Sequence, residues 1–153
     1  METGAVLKRL REFRDARADL VTLGVQGALI DQDSRVLLVR HRYRPGWHFP
    51  GGGVERDETI AHALERELRE EVGVRALEAP RLFGVYSHFE TYPGDHIVLF
   101  IVDRWQQERV WKPNLEIAEQ RLFAIGLLPE ALAPGTARRL KEILEKMPQA
   151  SAW

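Results

Sequence analysis

The stretch from Gly52 to Val74 constrains this chain more than any other. It reads GGVERDETIAHALERELREEVGV. Ile60, Leu64, Leu68 and Val72 recur every four residues, which is the buried stripe of an amphipathic helix. The spacing predicts a helix from about Thr59 to Val72, with Gly73 as a left-handed C-terminal cap. Residues three and four apart share a helix face, so Glu67, Glu70 and Glu71 crowd together off the apolar stripe. Like charges at that spacing cost a helix roughly 0.2–0.5 kcal/mol per pair. A hard divalent cation turns that penalty into a binding site. Carboxylate oxygens with phosphate as co-ligand are the usual surroundings of Mg²⁺. A solvated acidic face is the ordinary reading of such a run. Pro50-Gly51-Gly52-Gly53 argues against it here, because no ordinary helix start requires three glycines, and glycines let backbone approach a ligand or metal closely.

The spacing resembles the Nudix box, Gly-x5-Glu-x7-Arg-Glu-U-x-Glu-Glu-x-Gly-U, where U is bulky and aliphatic. Gly52, Glu58, Arg66, Glu67, Leu68, Glu70, Glu71, Gly73 and Val74 fill its fixed positions. Asp57 stands where many members of the family carry glycine, a departure that touches loop geometry and not metal ligation. The resemblance implies an α/β fold, the Nudix α/β/α sandwich with a mixed β-sheet between helices. It also implies a Mg²⁺-dependent hydrolase, with Mn²⁺ as a substitute. Glu67, Glu70 and Glu71 would be metal ligands, helped by the backbone carbonyl near Gly52. Glu67 or Glu70 would be the general base, and Arg66 would orient the carboxylates through a charge-assisted fork. Glu58 and Gly73 would have supporting roles.

The remaining composition is compatible with this. A chain of 153 residues with 44% hydrophobic content suffices for one domain with its own core. Net charge is −1, so no global field draws it to nucleic acid, and no extended nucleic acid is expected as partner. No apolar run approaches the roughly 20 residues that span a bilayer, and the first 20 residues lack a signal-peptide core. No membrane partner and a cytoplasmic location are therefore expected. Zero cysteines excludes thiolate metal sites and cysteine catalysis. It also argues against a prenyl-diphosphate isomerase, which shares the fold but resembles a type needing a catalytic cysteine.

Along the chain, Val6, Leu7, Leu10 and Phe13 predict an amphipathic extension from about Ala5 to Ala18. It would pack on its own domain or on a partner subunit, as in a homodimer. Strands are predicted at Leu20–Ile30, Val36–Val39, within Val74–Val85 with an interruption near Pro80, at His96–Trp105 and at Gln120–Ile125. A closing helix is expected over Thr136–Met147. Arg40 to Trp47 reads as a basic, aromatic loop. Strands before and after one central helix, then a closing helix, imply a mixed sheet between helical layers.

Outside the box the residues speak less strongly. Arg40, Arg42 and Arg44 suit phosphate oxygens, since a guanidinium donates bidentately; each is also an ordinary surface arginine. Trp47 stacks a nucleobase or covers the core. Glu116 and Glu119 lie where the family often places a further catalytic or metal-binding carboxylate, with helix capping or solvation as the alternative. Tyr92, Asp95 and His96 bracket a loop that either reaches substrate or is a plain surface turn. The expected activity is cleavage of the pyrophosphate bond of a nucleoside diphosphate linked to another moiety, a small-molecule substrate. The competing reading is a catalytically silent nucleotide-binding or regulatory Nudix domain. A proline near His88 or a tyrosine near Phe89 would mark an ADP-ribose or a dinucleoside-polyphosphate subfamily, and this chain has neither.

Overall fold

The computed structural model describes Ala5 and residues 19–153. The N-terminal helix expected over Ala5–Ala18 lies outside them, Ala5 itself excepted. Nine strands form three sheets. They are β1 (Thr22–Leu29), β2 (Arg35–His41), β3 (Trp47–His48), β4 (Gly51–Gly53), β5 (Val74–Ala76), β6 (Arg81–Ser87), β7 (Asp95–Val102), β8 (Trp105–Gln107) and β9 (Ile117–Ala124). A four-stranded sheet runs β4-β1-β7-β6, a three-stranded sheet β3-β2-β9, and β5 pairs with β8. Only β1 and β7 are parallel, with Gly24 opposite Ile97 and Leu29 opposite Val102; the other pairs are antiparallel.

Among residues 19–153, two helices cover the sheets. Helix α1 (Ile60–Glu67) starts at Thr59, whose hydroxyl accepts the His62 N–H at 3.2 Å. The expected helix therefore begins one residue later, with Thr59 as its cap. Its last part, Leu68–Val72, widens into a π-turn before Gly73 ends it at φ 65°, ψ 31°. Helix α2 (Pro134–Glu145) opens with proline in its first turn and ends before Lys146 in the left-handed region. Proline suits that start because its missing N–H has no helical partner to lose.

The central strands β1, β2 and β7 are apolar on both faces, as strands sandwiched between helices must be. In β2, Leu37 and Val39 join Val25, Val98, Leu64, Leu68 and Val72 on the α1 side. Val36 and Leu38 join Ala28, Leu99, Tyr86 and Leu140 on the α2 side. This is the expected α/β/α sandwich with a mixed sheet. Several boundaries differ: the closing helix runs Pro134–Glu145 and not Thr136–Met147, and the strand expected over His96–Trp105 is split into β7 and β8. The segment Arg40–Trp47 is not all loop, because β2 runs to His41 by pairing with β9. The glycine loop is a strand, since Gly51, Gly52 and Gly53 pair with Gln26, Val25 and Gly24. The last strand begins at Ile117, not Gln120. Among the described residues no helix is long and apolar enough to cross a membrane.

Candidate active site

The site lies where β4 meets the C-terminal half of the acidic helix, and Arg66 organises it. Its Nε and one Nη donate to the two Glu58 oxygens at 2.8 and 2.9 Å. The same Nη donates to the Gly53 carbonyl at 2.9 Å, stapling α1 to β4. The other Nη donates to Glu67 at 2.7 Å and lies 3.5 Å from Glu70. The Arg66 fork holds the Glu58 carboxyl down at about 2, with the Glu55 N–H assisting. The two carboxylates in turn hold the Arg66 guanidinium charged, its pKa raised.

The glutamates have three different environments. Glu67 is pressed against β4, where a Cβ on Gly52 would stand 2.4 Å from its carboxylate, so any larger residue there must displace that carboxylate. Burial pushes the Glu67 carboxyl up; Arg66 opposes this, and the charges of Glu70 and Glu116 add to it. Glu71 is 6% exposed and accepts the Gly51 N–H at 2.9 Å. Burial pushes its carboxyl up to about 8, with Glu67 and Glu116 adding to the rise and the Gly51 N–H and Arg44 opposing it. Glu70 is open to solvent, its side chain 59% exposed. Of the two further carboxylates expected, Glu116 is the one whose charge reaches Glu67 and Glu71. Glu119 instead pairs with Arg40 at 2.6 Å, its neighbour across β2 and β9. Among the described residues no three acidic or histidine side chains converge on one point, because Glu67 and Glu70 face Arg66 and Glu71 faces Gly51.

An open cleft of about 750 Å³ lies beside β4. Gln26, Arg44, Gly51–Gly53, Arg56, His88 and Tyr92 are on its wall. Asp95 joins its rim, accepting the Thr22 hydroxyl at 2.6 Å and lying 3.2 Å from His88 Nδ1. The segment bracketed by Tyr92 and Asp95 thus borders a cavity and is more than a surface turn. The side-chain oxygen of Gln26 is buried there without a partner. Sequence reasoning gave no binding role to Gln26, Arg56 and His88, which meet only through the β4-β1-β7-β6 order of the sheet.

The basic loop residues separate. Arg44 reaches the cleft and lies 3.1 Å from His41 Nε2. The His41 ring is held neutral, its pKa lowered to about 4 by burial and by Arg44, so it accepts from the guanidinium. Arg40 is taken up by Glu119. Arg42 donates to the Asn114 carbonyl at 2.7 Å and, through its backbone N–H, to the Glu116 carbonyl at 2.9 Å. Both arginines therefore anchor β9 and the loop before it. The substrate-binding expectation for Trp47 gives way to the core one. The ring is 7% exposed, edge-on to Phe123 at 4.8 Å, and has no free face for a base.

The NUDIX domain family model matches residues 21–146. An ADP-ribose pyrophosphatase from Methanocaldococcus jannaschii is 35% identical over 125 residues, 78% of this chain and 72% of that protein. An RNA pyrophosphohydrolase from Halorhodospira halophila is 54% identical over 80 residues, 52% of this chain but only 35% of that protein. Among solved structures, a MutT NUDIX hydrolase from Burkholderia pseudomallei superposes with TM-score 0.69 at 28% identity, covering 82% of this chain and 99% of that one. The box, the sandwich and these likenesses agree: the chain belongs to the NUDIX domain family and is a Nudix hydrolase.

Proposed function

We propose that the protein is a Mg²⁺-dependent diphosphatase that cleaves a nucleoside diphosphate linked to another moiety. One observation carries the reading most: a cleft of about 750 Å³ runs along the glycine strand, with Arg44 and Arg56 on its wall and the buried carboxylates behind it. Its volume lies within the roughly 300–1,000 Å³ of small-molecule sites. The two guanidiniums suit an anionic diphosphate. The Tyr92 ring, 49% exposed at the rim, offers a face to a base.

The donor set fits a hard divalent cation. It is all oxygen and of one sign, and burial with the neighbouring Glu67 and Glu116 charges pushes the Glu71 carboxyl up to about 8, a cost that a cation would relieve. Glu67, Glu70, Glu71 and the Gly52 carbonyl would hold the cation, with Glu116 as a further oxygen donor. Bound there, Mg²⁺ supplies charge neutralisation, polarises a phosphoryl oxygen and acidifies a water. The chain's own residues do the rest. Arg66 fixes Glu58 and steers Glu67, so freeing Glu67 and Glu70 from Arg66 needs side-chain rotation and no backbone shift. Glu67 or Glu70 takes the proton of the attacking water. Arg44, held by neutral His41, binds the phosphate oxygens.

The test is a panel of nucleotide diphosphates with products identified by chromatography, run with and without chelator. Release of a nucleoside monophosphate and loss of turnover in EDTA are expected, with recovery in millimolar Mg²⁺ or Mn²⁺. Full turnover in excess chelator overturns the metal assignment. No cleavage of any panel member overturns the substrate class.

A further inference from the structure

The end of the acidic helix is held by one distant segment. A helix leaves its last four carbonyls without helical partners. Here side chains supply them from the stretch that follows β8. Arg109 donates to the Arg69 carbonyl at 2.6 Å and to the Glu70 carbonyl at 3.1 Å. The Trp111 indole N–H donates to the Glu71 carbonyl at 2.8 Å. The Gln107 amide donates to the Val72 carbonyl, and the Glu108 N–H to that of Gly73 at 2.9 Å. Five consecutive carbonyls, 69 to 73, are thus met by residues 107–111. Gln107 is itself set by Gln120, whose amide donates to it at 2.9 Å.

The segment continues to Glu116. Asn114 Oδ1 accepts the N–H groups of Glu116 and Ile117 at 2.9 and 2.7 Å, and Arg42 holds the same turn from β2. One clasp therefore fixes the backbone under Glu70 and Glu71 and continues to Glu116, whose charge reaches Glu67 and Glu71. The held backbone is a π-turn, a form that recurs at functional sites. If it relaxed by one residue, the side chains beyond would swing about 100° around the helix axis, the rotation per residue of an α-helix.

We infer that Arg109 and Trp111 are positioning residues for the metal-holding carboxylates, setting the direction of Glu70 and Glu71 through their main-chain carbonyls. This rests on the reading of those glutamates as cation ligands. Groups that orient metal ligands change metal affinity or activity by about 10–100-fold when lost.

The experiment titrates the substrate-free protein with Mn²⁺, following the free ion by electron paramagnetic resonance well below the melting temperature. Trp111→Phe removes the indole donor and Arg109→Met the guanidinium donors; Glu70→Gln serves as reference. The apparent Kd for Mn²⁺ is expected to rise at least about tenfold in both clasp variants. A merely structural cap would lower the melting temperature and leave the Kd of the folded protein alone, and that result overturns the inference. If Glu70→Gln weakens binding but the clasp variants do not, only the clasp fails. If Glu70→Gln binds like wild type, or wild type does not bind, the ligand assignment fails and the inference with it. Arg109 is exposed, so its variant opens no core and decides the matter even if Trp111→Phe does not fold.

Discussion

At the scale of single residues, charge is unevenly shared in this site. Arg66 serves Glu58 with both arms of its fork and gives Glu67 one further bond, while Glu71 has only a backbone N–H. Glu71 therefore bears the cost of burial, and its carboxyl rises from 4.5 to about 8. The consequence for stability has a definite sign. Below pH 4.5 the carboxyl is protonated whether the chain is folded or not. As pH rises toward 8, the unfolded chain loses the proton and the folded one keeps it. The Glu71 contribution to metal-free stability is thus full below 4.5 and is lost as pH rises through about 8. Glu67 is shifted in the same direction and adds to the slope. We expect urea midpoints in chelator to fall between pH 6.5 and 8, above the range where the lowered His41 and His48 act in the opposite sense, and Glu71→Gln to flatten that fall and exceed wild type at pH 8. A wild-type midpoint that climbed across this range would contradict the burial account. Trp47 shows why sequence alone left such environments open. An aromatic beside a glycine loop suits a ligand or a core equally, and only the packing of Phe123 and Leu132 against it decides.

At the scale of elements, the helix was legible because four apolar residues repeat at its period and Gly73 closes it. Strand β4 was not, since three glycines have no strand preference and no side chains to alternate. It exists because β1 offers an edge; Gly52 is glycine because Glu67 lies against it, and Gly51 because the Val25 main chain does. Nor was the π-turn legible, because its partners are 35 to 40 residues away along the chain. The register of β2 on β9 likewise assigned Arg40 to Glu119 and left Arg44 for the cleft. The β4–α1 contact gives a sharp prediction. In Gly52→Ala the new Cβ would need the space of the Glu67 carboxylate, 2.4 Å away. The carboxylate is the free end of a flexible side chain, so it moves and the backbone stays. Displacement of a reacting group by about 1 Å can cost 10²-fold. We expect kcat to drop by about that factor, with circular dichroism and the metal-free melting temperature near wild type. An unfolded Gly52→Ala protein would show that β4 pairing, not Glu67, is what requires glycine.

At the scale of the whole molecule, the sheet separates chemistry from a second polar centre. The α/β/α order followed from the sequence of strands and helices. The polar centre did not, because Arg139 and Glu142, three apart on a helix, look like a solvated pair. They are 1% and 7% exposed. Glu142 accepts from the Tyr86 hydroxyl at 2.9 Å, from Arg139 at 2.9 Å and from the Ala150 N–H at 2.8 Å. Arg139 donates to the Ala152 carbonyl at 2.8 Å and lies 4.2 Å over the Tyr86 ring. Burial and the Glu142 carboxylate push the Tyr86 phenol up, so it stays a donor. The network ties β6, α2 and residues 150–153 together on the α2 side, whereas α1 and its glutamates pack on the other face. Removing one partner of a buried ion pair typically costs about 3–5 kcal/mol, because the other charge is left uncompensated. Glu142→Ala should therefore lower the unfolding free energy in urea by about that amount. Because the intervening strands are packed apolar on both faces, Mg²⁺ affinity and kcat, measured far below the midpoint, should stay within about twofold of wild type. A Glu142→Ala protein with an unchanged midpoint and a large loss of kcat would show that the two faces are coupled and that this network belongs to the active site.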